Sequence, residues 1–127
     1  MTEHRTPLAR VRGLGSAKTG TTHFWYQRLT AVANVPLTIA FVLTVVALLG
    51  RNHAAAQQIL ATPLVAIVML LFIGSITYHM RIGMQVIIED YVHDEIAKLA
   101  LIMLNTFFAV AVALASAYAI FKLSFGV

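Results

Sequence analysis

The sequence predicts an all-α membrane protein with three transmembrane helices, its N-terminus in the cytoplasm and its C-terminus in the periplasm. Three observations carry that prediction. Of the 127 residues 60% are hydrophobic and only 11% are charged, against about 25% charged in soluble domains, and no soluble domain of this length hides so much apolar surface in one core. Three long uncharged windows punctuate the chain. Basic residues gather ahead of the first window. The net charge of +4 is therefore read as asymmetry across a membrane and not as a nucleic-acid surface, since no soluble module interleaves basic residues with exposed aromatics. With no cysteine, the chain by itself builds no disulfide framework, thiolate metal site or iron–sulfur cluster.

The N-terminal segment, residues 1–28, is polar and holds Arg5, Arg10, Arg12, Lys18 and Arg28. The apolar run behind it starts too late and is too long for the core of a cleaved signal peptide. The first loop, 51–61, carries only Arg51, and the positive-inside rule then keeps the N-terminal segment cytoplasmic. Residues 29–127 form the anchor, with spans at about 29–50, 62–88 and 99–121, each meeting the roughly 20 apolar residues a crossing needs. Pro36 lies early in the first span, where lipid tolerates a kink. Thr62-Pro63 reads as a helix start, with a capping hydroxyl and proline at the first helical position. Three crossings return the second loop, around Tyr91–Lys98, to the cytoplasm. No internal repeat is evident, and the loops are too short for a second domain.

The second span carries the chemistry in "YHMRIGMQVIIEDYVH", Tyr78 to His93. At 100° per residue, His79 and Asp90 fall about 20° apart on the helical wheel and ~16 Å apart along the axis, with Ser75, Gly83 and Val86 close to the same line. Such a face is directed at other helices or at a bound group, not at lipid. His79 has two readings: a hydrogen bond to a neighbouring helix, or axial ligation of a haem iron. Gly83, one turn on, suits either a close helix crossing or the approach of a flat macrocycle. A second axial histidine would come from a partner subunit, because His53 lies in the outer loop and His4, His23 and His93 lie near or beyond the cytoplasmic boundary.

Glu89, Asp90, Asp94 and Glu95 resemble an ordinary charged interface, and tyrosine is common at that depth. The alternative for Asp90-Tyr91 is a quinone site, where a phenol donates to a quinone carbonyl and a carboxylate orients an arginine or relays a proton. Arg81 points to another face, to snorkel or pair with a neighbouring acid. Arg28 is either a positive-inside anchor or a partner for a haem propionate or the quinone-site carboxylate. Trp25 and Tyr26 read as interfacial belt residues.

The pattern His79-x3-Gly83-x6-Asp90-Tyr91 on a second membrane helix resembles the smaller hydrophobic membrane anchor, or D type, of succinate dehydrogenase. The run "GSAKTGTTHFWYQRLTAVANVPL", Gly15 to Leu37, resembles bacterial members of that family, and the likeness covers essentially the whole chain. It implies a subunit of respiratory complex II that catalyses nothing alone, in a bacterial inner membrane rather than a mitochondrial one. Its partners would be a flavoprotein that oxidises succinate, an iron–sulfur subunit and a second, cytochrome b556-type anchor, with membrane lipid around them and no nucleic acid. The two anchors would share a b-type haem, with His79 as one axial ligand and Arg28, Gly83 and Ser75 in its environment. Tyr91 would hydrogen-bond ubiquinone, with Asp90 as the neighbouring carboxylate. Rival readings are a fumarate reductase anchor, a small ion-coupled transporter relaying through His79 and Asp90, and a purely structural assembly subunit. Three helices without an inverted repeat speak against the transporter.

Overall fold

Five helices make up the computed structural model, which describes residues 4, 6–13 and 20–126. They are α1 (Pro7–Arg12), α2 (Gly20–Leu48), α3 (His53–Ala61), α4 (Pro63–Tyr91) and α5 (Glu95–Phe125). Arg5 and Lys18 of the basic segment, residues 15–19 of the Gly15–Leu37 run, and Val127 lie outside the described residues.

Three of these helices, α2, α4 and α5, are long and apolar enough to cross a membrane. All three outrun the spans expected from hydropathy, because the interfacial turns continue the helix where charge ends the apolar window. α2 begins well ahead of Leu29 and runs unbroken through Pro36. α5 begins at Glu95 because Asp94 caps it, accepting from the Ala97 N–H at 2.8 Å. The second loop is therefore only residues 92–94.

The first loop is a correction. Residues 53–61 form a helix, α3, started by Asn52, whose side chain accepts from the Ala55 N–H at 2.9 Å. An alanine run with strong helix propensity follows the cap. Ser124 ties α3 to α5 by donating to the Leu60 carbonyl at 2.8 Å, and Leu60 is buried. Thr62 is a second correction. It closes α3 and opens α4, with Pro63 at the first helical position, but its hydroxyl makes no cap bond to α4. The hydroxyl donates back to the Gln58 carbonyl at 3.2 Å instead.

α4 is the central helix, packing against α2 on one side and α5 on the other, and the backbones of α2 and α5 do not approach each other. Most of the buried side chains belong to α4: Met69, Phe72, Thr77, Ile82 and Ile88. Phe72 stacks on Phe41 of α2 with ring centroids 4.6 Å apart. On the α5 side, Asn105 donates to the Arg81 carbonyl at 2.9 Å and Arg81 Nε donates to Thr106 Oγ1 at 3.3 Å. Arg81 thus faces α5 and pairs with no acid among the described residues. The outer faces remain apolar and exposed, as lipid requires and water forbids.

Candidate functional site

The polar face of α4 meets a polar face of α2. Ser75 donates to Asn34 Oδ1 at 2.7 Å and lies 3.4 Å from the Thr30 carbonyl. One turn further along α4, His79 Nδ1 stands 3.0 Å from Thr30 Oγ1. One more turn on, Gly83 faces Gln27: a Cβ added at Gly83 would meet only the Gln27 amide nitrogen, at 3.7 Å. Beyond it, Ile82 and Val86 of α4 share a cleft of about 460 Å³ with His23, Phe24, Gln27 and Arg28 of α2. Of the expected alignment, Ser75, His79, Gly83 and Val86 share one seam facing α2, while Asp90 is exposed at the end of the helix.

His79 thus makes the hydrogen bond to a neighbouring helix, and does so with one of its two ring nitrogens. The bond does not compete with ligation, since an imidazole has a second nitrogen. Gly83 has room around its missing side chain, so it does not serve a close backbone crossing within this chain. Gln27 Oε1 is buried without a hydrogen-bond partner, an acceptor of the kind that awaits a donor.

Asp90 and Tyr91 end α4, and both are exposed, Tyr91 by 78%. Among the described residues neither side chain makes a hydrogen bond or an ion pair. Glu89 beside them accepts from Gln85 at 2.8 Å. Arg28 is not paired with either acid: its guanidinium sits over the Phe24 ring, 5.1 Å from the centroid. Trp25 is exposed, whereas Tyr26 packs edge-on against Tyr78 at 5.6 Å and so joins α2 to α4 next to His79.

Gln27, Thr30 and Asn34 are the residues that sequence reasoning missed. Their spacing of three and then four residues marks one helix face, and that was the available signal. Thr30 and Asn34 lie inside the first apolar window and Gln27 in the polar segment before it, so hydropathy divides this face between two segments. Among the described residues no three histidine, aspartate or glutamate side chains converge.

A family model described as "Succinate dehydrogenase/Fumarate reductase transmembrane subunit" matches residues 2–114. The "Succinate dehydrogenase hydrophobic membrane anchor subunit" of Paracoccus denitrificans is 31% identical over 95% of this chain and 93% of its own. The protein of the same description from Rickettsia bellii (strain RML369-C) is 28% identical over 94% of this chain and 95% of its own. The "Succinate dehydrogenase membrane anchor subunit" of Reclinomonas americana is 32% identical over 68% of this chain and 75% of its own. No solved structure matches the chain. A multi-pass chain with these relatives, matched from its first residues to the last third of α5, belongs to the family of succinate dehydrogenase and fumarate reductase transmembrane subunits.

Proposed function

We propose that the chain is the D-type membrane anchor of a succinate:ubiquinone oxidoreductase in a bacterial inner membrane, where it helps hold a b-type haem and a ubiquinone. Its N-terminus lies in the cytoplasm. The partners are a flavoprotein, an iron–sulfur subunit and a second anchor that contributes the other axial histidine. The named relatives are all succinate dehydrogenase subunits, which favours succinate oxidation over the fumarate-reducing direction within the same family.

The observation that carries this reading is the seam of Ser75, His79 and Gly83 against α2, continued along α4 to an exposed Asp90-Tyr91. The residues fit a haem. His79 is the only histidine well inside a span, one of its ring nitrogens is engaged by Thr30, and Gly83 leaves its flank open. A bound haem supplies one-electron storage at that depth. His79 would hold the iron from this chain. Arg28, half a turn before Thr30 on α2, would swing from Phe24 to an anionic substituent on the macrocycle. Ser75 fixes the register of α2 on α4.

At the helix end the Tyr91 phenol would donate to a quinone carbonyl, and the Asp90 carboxylate would pass protons from the cytoplasmic surface to the reduced ring. Two electrons arriving from the iron–sulfur side and two protons complete the quinol. The exposure of both side chains fits a pocket whose other walls are the partner subunits.

The test is the purified complex. It should contain a flavoprotein and an iron–sulfur protein, show a b-type haem spectrum, and change that spectrum in His79→Ala. An unaltered spectrum and midpoint potential in that variant would defeat the ligand assignment.

A further inference from the structure

We propose that Thr30 is a positioning residue that fixes the tautomer of His79, so that the Nε2 lone pair is the one presented to iron. This rests on the haem reading above. The argument turns on where one proton goes. Thr30 Oγ1 lies 2.6 Å from the Tyr26 carbonyl oxygen, 3.2 Å from the Gln27 carbonyl oxygen and 3.0 Å from His79 Nδ1. Both carbonyls only accept, and the hydroxyl has a single proton to give.

At 2.6 Å the contact with Tyr26 is a short O–H···O bond. Turning the hydroxyl proton toward Nδ1 would leave two oxygens facing each other at that distance with no proton between them. The proton therefore points along α2, as β-branched hydroxyls do when they bond back to the preceding turn. What Thr30 offers across the helix interface is a lone pair. His79 Nδ1 must donate to it, at a distance typical of N–H···O. In a neutral imidazole that leaves Nε2 unprotonated, the form that binds a metal.

The surroundings hold this arrangement in place. The Thr30 rotamer is stiff at a β-branched position. α2 is pinned to α4 on either side of the contact, by Ser75 on Asn34 and by Tyr26 against Tyr78. An Nδ1–H donated to an oxygen also raises the basicity of the ligating nitrogen.

The experiment uses the whole complex, purified with its partner subunits, in wild-type, Thr30→Val, Thr30→Ser and His79→Ala forms. It reads the absorption spectrum, the low-spin resonance g values of the oxidised haem, and the haem-to-flavin ratio after dilution in detergent. Thr30→Val keeps the shape and removes the hydroxyl. It should shift the g values and weaken haem retention about 10-fold or more, the usual effect of removing an outer partner of a ligating histidine. Thr30→Ser should match wild type. If Thr30→Val does not assemble, Thr30→Ala replaces it, and Ala against Ser differs by the hydroxyl alone. Wild-type g values and retention in Thr30→Val or Thr30→Ala, alongside a changed His79→Ala, would overturn the positioning role and leave the haem reading standing. An unchanged His79→Ala would sink the haem reading, and this inference with it.

Discussion

Tyr91 and His79 lie about 18 Å apart along α4, so at the scale of single residues the proposed haem and quinone roles are separable. His79 is engaged inside the membrane by Thr30. Tyr91 stands free at the surface, which makes it the sharper probe of function. Tyr91→Phe keeps the ring and removes one donor. Losing a neutral hydrogen bond in a closed pocket costs on the order of 1–3 kcal/mol, or roughly 5- to 150-fold in affinity or rate. Succinate-dependent quinone reduction at limiting quinone should fall by that factor, while succinate oxidation with an artificial acceptor at the flavoprotein persists. Equal quinone reduction in variant and wild type would return Tyr91 to the interfacial belt. The free phenol also explains why sequence alone left two readings open here: an exposed tyrosine beside four acids has the same local pattern whether or not a partner completes a pocket around it.

At the scale of elements, the caps set where the helices begin, and they set the short loop that holds Asp90-Tyr91 near α5. Asp94 accepts from the Ala97 N–H, and Lys98 lies 3.8 Å from Glu95 on the same first turn. Replacing the cap, Asp94→Ala, should cost about 1 kcal/mol and lower the thermal midpoint of the complex in detergent. Asp94→Asn, which caps equally well, should restore it. If Asn fails to rescue, the negative charge at the helix start and not the hydrogen bond is what matters. The acids read from sequence as one solvated cluster thus divide by role: Asp94 caps α5, Glu89 takes the Gln85 amide, and the Asp90 carboxylate bonds to none of the described residues.

At the scale of the molecule, α4 lies between α2 and α5 and gives each a different kind of contact. Toward α2 it offers the seam of Ser75, His79 and Gly83; toward α5 it offers Arg81 and its carbonyl, bound by Asn105 and Thr106. Interhelical bonds of this sort hold membrane helices where no hydrophobic force separates protein from lipid. The orientation proposed for the whole rests on charge. Five basic residues precede the first span and Arg51 alone follows it, so the N-terminal segment should stay cytoplasmic. A C-terminal fusion to a reporter active only in the periplasm should be active, and activity only of a cytoplasmic reporter would reverse the topology.

The sequence by itself determined the solvent, the number of membrane helices and the face of α4 that carries Ser75, His79 and Gly83. Those follow from composition and from a period of 3.6 residues, which are local properties of the chain. Tertiary structure alone decided what that face meets. Thr30 and Asn34 sit in a window whose neighbours are all apolar, and a hydroxyl or amide there has no meaning until a second helix supplies its partner. Docking α2 on α4 brings Thr30 Oγ1 within hydrogen-bond distance of His79 Nδ1 and makes Asn34 the acceptor for Ser75. The same holds for α3, whose alanine-rich turns gain a reason to stay folded only when Leu60 is buried and Ser124 reaches its carbonyl. Helix periodicity is written in one segment, whereas a hydrogen bond between segments exists only where packing brings donor and acceptor within about 3 Å.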